Sequence, residues 1–408
     1  MAWFSESELR EIFSARTLDI RETHNARWID QKCTPDVVCI VSDCIENYIN
    51  EHGVCEFSST DIWHSEYTKQ NVEDIFRKPG LEEATSRSEY DKYFQQPMEM
   101  LSSAGVLLKE KRGRKNIYSV AMPEVLSYIG MRERNALTFL QIYIEEVLRQ
   151  SNMLDDFDAF FAKQTSDAYV SVKKKFVDET IKHTPINGVV ECRRIFTKVI
   201  NPLAFKRKSL GTEHGRISRH PITYDMLMYN RDNFRDLYSG KPKGMTRNEY
   251  ADQIGVKPNA TYYVYMSRKA KKFLRDYNNQ HRAGLPEVTT GPDCLSPATE
   301  MHHIFPESQF PDISSYLENI IALSPTQHRV YAHPMGNYHI VDAAYQHICL
   351  LAKSSIIQEN LQGPEELIIY EFSRLLYVLA TGFSEESFED IEEADFSGVI
   401  TKINLQYA

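Results

Sequence analysis

Paired cysteines are missing from this chain. The seven present (Cys33, Cys39, Cys44, Cys55, Cys192, Cys294 and Cys349) stand at no Cys-x-x-Cys spacing, which excludes a zinc knuckle. An odd number of scattered cysteines reads as reduced core thiols of a cytoplasmic protein. Long apolar runs are missing too. No stretch approaches the ~18 residues that a membrane helix requires, so no membrane partner is expected. Met1-Ala-Trp-Phe-Ser-Glu leads into charged sequence, and no secretory leader is expected there. Neither an internal repeat nor a low-complexity linker interrupts the chain. Its 408 residues, 42% hydrophobic, are enough for ordinary cores, and at roughly 150 residues per domain they suggest two or three domains.

Positive charge is scarce overall. The net charge of −10 argues against a polyanionic partner until it is resolved along the chain. From Arg193 to Arg282, 20 Lys and Arg face 7 Asp and Glu. A basic middle therefore lies between acidic ends, the C-terminal one including Glu385-Glu386, Glu389-Asp390 and Glu392-Glu393. Such asymmetry fits a nucleic acid against the middle. Within it, Lys206, Arg207 and Lys208, followed by Gly211, Gly215, Arg216 and Arg219, read as a flexible loop able to follow a phosphate backbone. Arg247 precedes a short helix. Ser267 to Arg275, with Arg268, Lys269, Lys271 and Lys272, reads as a basic helix, and Tyr262, Tyr263 and Tyr265 before it read as strand core. Cations of this kind supply affinity and salt sensitivity without reading base sequence.

The chain is most informative at Met301-His302-His303-Ile304-Phe305-Pro306, followed by Asn319, His328 and His333. Thr299 to Phe305 reads as a short strand, Pro306 to Glu318 as a loop, and Ile320 to Leu323 as a returning strand. Ser324-Pro325 then starts a helix, with Ser as N-cap and Pro at the first helical position. Imidazoles in this arrangement can hold a divalent cation against a phosphate while another takes a proton from water. The stretch from about 299 to 335 resembles the HNH, or ββα-metal, endonuclease family. The resemblance implies His302 and His328 as ligands to one divalent ion, His303 as general base, and Asn319 as a tie between the two sides of the motif. Mg²⁺ would be the working ion, although imidazoles also suit Mn²⁺, Ni²⁺ and Zn²⁺.

Two features depart from the family pattern. Its helical histidines usually stand four apart, on one face. Here His328 and His333 are five apart, roughly 140° around a regular helix, so His333 is the weaker candidate unless Pro334 ends the helix and lets its ring swing inward. His339 and His347 are spare candidates. Many family members also brace the motif with zinc on paired cysteines. This chain has none, so packing alone is expected to hold it.

Towards the N-terminus, Val37 to Ile49, Phe57 to Trp63 and Glu89 to Ala104 read as three helices, the last containing Pro97. Gly105 to Val120 follows as a hairpin whose tip carries Arg112, Arg114 and Lys115. This order resembles a winged helix, in which the third helix enters a groove and the wing touches the backbone. Arg134 to Arg149 reads as an amphipathic helix serving as a spacer or dimerisation element. The expected architecture is multidomain α+β: a winged-helix-like reader over residues 1–125, a helical spacer over 126–190, a basic clamp over 191–290, and an HNH nuclease domain with C-terminal helices over 291–408. The expected activity is metal-dependent hydrolysis of double-stranded DNA by a homodimeric restriction-type endonuclease. The competing readings are a winged-helix regulator with a non-catalytic metal motif, and an RNA-directed or homing-type nuclease.

Overall fold

The computed structural model describes residues 4–76, 87–229, 260–333, 341–364 and 367–408. The protein is mostly helical, with a few small antiparallel sheets, and is α+β overall. Its contacts divide into two compact units, Met1–Lys257 and Pro258–Ala408.

In the first unit the helix Pro35–His52 starts with Pro at its first turn and ends on left-handed Gly53. Strand β1 (Glu56–Phe57) and the helices Ser59–Trp63, Glu66–Phe76 and Arg87–Ser103 follow. Ser58 and Asp61 cap the second of these four helices reciprocally. Strands β2 (Leu107–Arg112) and β3 (Lys115–Val120) form a hairpin turned by Gly113 at φ 64°, and β1 adds to its β3 edge, giving the order β1-β3-β2.

Glu133–Gln150, expected as a spacer or dimerisation element, is instead the central core helix of this unit and is buried along most of its length. Its Phe139 and Tyr143 meet Phe13 and Trp28, and Tyr143 donates its hydroxyl to the Trp28 carbonyl (2.9 Å). Glycine-punctuated residues 210–221 form a hairpin, β4 (Leu210–Glu213) with β5 (Arg216–Pro221), where a flexible loop was expected. The Asn201 side chain holds Thr212 through both its backbone groups, which pins the hairpin to the helix Val189–Lys206.

In the second unit the tyrosines expected on a strand lie on the helix Ala260–His281. Strands β6 (Glu300–His303) and β7 (Ile320–Leu323) pair antiparallel, His302 opposite Ile321 and His303 opposite Ile320. The helix Ala343–Leu361 starts at the Asp342 cap. The next helix, Phe372–Phe383, begins just after the Asn360 and Glu318 side chains accept from the amides of Ile369 and Glu371. The helix Phe396–Gln406 closes the chain.

Packing alone does not hold this unit. Glu287 and Lys353, each about 1% exposed, form a buried ion pair at 3.1 Å, and both bond the Tyr370 hydroxyl. Glu287 also accepts from the Ala322 amide and donates its own amide to the Ala322 carbonyl, both at 2.8 Å. A network that satisfies its own charges thus clamps the middle of β7, in a chain with no cysteine pair to do so. Lys353→Met should strand the Glu287 carboxylate and cost about 3–5 kcal/mol. Adding Glu287→Gln, which removes the second charge, should recover part of that loss in urea denaturation. A Lys353→Met protein as stable as wild type would contradict the clamp.

Candidate metal centre

Three imidazoles converge on one point. The ring centroids of His302, His328 and His333 lie 5.2, 5.0 and 4.8 Å apart pairwise, and one ring nitrogen of each falls within 4.8 Å of the others. His302 projects from β6. His328 lies on the helix that follows β7, and His333 is the residue just past its end. Ser324 and Gln327 start that helix with a reciprocal cap, each side chain bonding the other's backbone amide, at 3.2 and 3.1 Å. The Gln327 amide also donates to the Val288 carbonyl, and Ser324 donates to Asp293, so the helix start is fixed from two sides.

His333, expected as the weaker ligand, belongs to the cluster because Gln327–Ala332 winds as a π-helix. Bonding from i to i+5 stacks residues five apart, as α-helical bonding stacks residues four apart. His328 and His333 therefore share a face. The helix ends at Ala332, and His333 itself is non-helical at φ −124°, ψ 88°. Of the spare candidates, His347 bonds Asn404 and stacks on Tyr407, while His339 lies outside the described residues.

The electrostatics suit a cation. Burial holds His302 well below its ordinary pKa of 6.5, with the neighbouring histidines adding to the effect. Burial likewise lowers His328 to about 4, again with help from His333. Neutral imidazoles are the form that binds metal. Nε2 of His302 is buried with no hydrogen-bond partner among the described residues, a cost that a bound ion would remove. Three imidazoles would leave coordination positions open for water or substrate.

His303 faces away from this triangle. Its Nε2 lies 2.8 Å from the Ser314 carbonyl, which can only accept, so the proton sits on Nε2 and Nδ1 keeps its lone pair. Burial, with Lys271 adding, lowers its pKa to about 4. Glu307 stands 3.7 Å from Nδ1, and Ser267 bonds both Glu307 and the ring (3.2 Å each). Asn319 accepts from the Phe305 amide (2.8 Å) and donates to the carbonyls of Phe305 (3.0 Å) and Ile313 (3.3 Å), joining the end of β6 to the loop that presents Ser314. A Cβ at Gly382 would fall 2.5 Å from the Phe305 ring, so the glycine gives that ring its seat.

The basic residues separate into two groups. Lys206 bonds Glu6, and Arg207 bonds Glu145 and Asp158, so both are engaged in holding the fold. Arg112 is held by Glu56 and Glu110, whereas Arg114 and Lys115 at the hairpin tip are exposed. Lys208, Arg216 and Arg219 are exposed around the β4–β5 hairpin. On the helix Ala260–His281, Arg268 and Lys272 face outward and Lys269 is buried over the Tyr265 ring. Lys271 acts electrostatically on His302, His303 and His328. Arg247 lies outside the described residues. Ser267, Glu307 and Ser314 around His303 were not legible as site residues, since nothing in their local sequence marks them.

The fold and site thus define a mostly helical α+β protein with a buried three-histidine cluster that could hold a metal ion. Comparison with protein-family models, curated proteins and solved structures finds no match to this chain.

Two outcomes follow for the metal-free protein. The unfolded chain takes up protons near pH 6.5, but folded His303 and His328 do so only near 4. Their contribution to stability is therefore complete above about pH 6.5 and is lost as pH falls from there to about 4. Melting temperatures in chelator should drop through that window, and a flat profile would contradict the buried neutral set. At pH 7.5, Zn²⁺ or Ni²⁺ should raise the melting temperature of wild type. His333→Ala should lose that gain as fully as His328→Ala does, because both ligands share one face.

Proposed function

We propose that this protein is a metal-dependent endonuclease of the HNH, or ββα-metal, type that hydrolyses phosphodiester bonds of double-stranded DNA. The observation that carries the reading is the juxtaposition of two unlike histidine sets. His302, His328 and His333 point at one another, while His303, the next residue along β6, is held by a carbonyl with its Nδ1 lone pair available.

A divalent ion on His302, His328 and His333 would supply Lewis-acid neutralisation of the phosphate and the leaving oxygen. The chain's own groups do the rest. The Ser314 carbonyl fixes the His303 tautomer, leaving Nδ1 to accept the proton of an attacking water. Asn319 holds the loop that bears Ser314 against the end of β6 and so sets the direction of that lone pair. Lys271 adds positive charge beside the histidines, where a phosphate would lie.

A reader module of winged-helix type is supported by the short strand after the first helix and the two-stranded wing, although four helices, with Glu66–Phe76 as an extra one, precede the wing where that order has three. Its contact with DNA would come through the wing tip at Arg114 and Lys115. The helix Arg87–Ser103 is mostly buried, exposing Lys92 and Gln95 among its described side chains. Joined to a cutter, such a module fits a restriction-type enzyme, sensitive to sequence or base modification, acting as a homodimer so that two sites cut two strands.

Digestion of plasmid and phage DNA in Mg²⁺ or Mn²⁺, with and without base methylation, tests the reading. Discrete fragments are expected from wild type. His303→Ala should lose cleavage by at least ~100-fold and keep DNA affinity. Binding without cleavage on every substrate would favour the regulator with a non-catalytic metal motif. Preferential cleavage of RNA would move the substrate to that class.

A further inference from the structure

One face of the helix Ala260–His281 carries Ser267, Lys271, Arg275 and Asn279 at four-residue intervals. Residues so spaced lie about 6 Å apart along a helix and form a stripe, at a separation close to that of successive phosphates on one strand. At one end of the stripe, Ser267 touches the His303 ring at 3.2 Å. Next comes Lys271, near enough to act electrostatically on His302, His303 and Arg275. The far end opens into a cleft of about 480 Å³, lined by Arg275, Asn279, Ala283, Gly284, Pro297, Ala298 and Thr299. Ala298 donates to the Gly284 carbonyl (2.8 Å), which joins the two walls, and Thr299 leads directly into β6. The cleft contains no carboxylate, and Arg275 is exposed with no ion pair among the described residues.

We propose that this cleft holds the backbone of the DNA strand beside the scissile phosphate, with Arg275 pairing one flanking phosphate, Asn279 donating an amide hydrogen to the same backbone, and Lys271 bridging from the cleft to the histidines. Arg275 and Asn279 lie outside the histidine motif, and their role rests on the nuclease reading only for which phosphate is cut. Arg275, Asn279 and Thr299 supply the polar groups among the small apolar walls of Ala283, Gly284, Pro297 and Ala298, a lining that can hold a sugar–phosphate chain without reading bases.

The test is equilibrium binding of a labelled duplex to the full-length protein in EDTA over a range of KCl concentrations. Arg275→Ala should weaken binding about tenfold and reduce the slope of log K against log salt by about 0.9, the loss of one phosphate contact. Arg275→Lys should restore most of the slope, since a point charge still pairs with phosphate. Unchanged affinity and slope in Arg275→Ala would overturn the proposal. So would weakened binding at an unchanged slope, which would mark a structural role for the side chain. In parallel, wild type is assayed on bis(4-nitrophenyl) phosphate with Mg²⁺ or Mn²⁺, a diester with no flanking backbone. Failure to hydrolyse it would count against the nuclease reading alone, while a lost salt slope would still establish the strand cleft.

Discussion

Three histidines converge on one point of the second unit, and the burial that keeps His302 and His328 neutral is what lets their rings stand so close. Burial disfavours the imidazolium at His302 and His328, and neighbouring histidines lower both pKa values further. The same burial leaves Nε2 of His302 with no hydrogen-bond partner among the described residues, at a typical cost of about 1–3 kcal/mol. A fold selected for stability alone would fill such a position with an apolar side chain. A cluster of converging imidazole nitrogens could instead hold a metal ion.

Everything near the cluster serves to hold those nitrogens in place. The β6–β7 register sets His302, the Ser324–Gln327 cap sets where the helix begins, and the π-winding after it sets where His333 ends. The Glu287–Lys353–Tyr370 network clamps β7 from behind. Asn319 carries that order across to the opposite face of β6, where His303 takes its tautomer from a loop carbonyl. Adjacent residues on one strand point to opposite faces, which is how His302 and His303 come to separate environments.

Much of this was legible in the sequence. Strand Ile320–Leu323 and the Ser324-Pro325 helix start follow from local pattern, while the pairing of His302 with His328 was what the resemblance to the HNH motif implied. The position of His333 does not, because π-winding is a choice among hydrogen-bond partners that residue types barely influence. Nor does the clamp, whose carboxylate and ammonium stand 66 residues apart. Counting basic residues also overstated the cationic surface. Lys206 and Arg207 look like a phosphate track in sequence, yet Glu6, Glu145 and Asp158 neutralise them from distant parts of the chain. The reverse holds for Lys271 and Arg275, whose nearness to the histidines and to the cleft appears only in the fold.

If the histidine triangle is an open metal centre, titration with Co²⁺ followed by visible absorption will report it. The account predicts one ion per chain, a spectrum typical of imidazole ligation that collapses in His302→Ala, and a change in that spectrum when a phosphodiester is added. Absence of stoichiometric binding, or a bound ion whose spectrum ignores both the mutation and the diester, would contradict it.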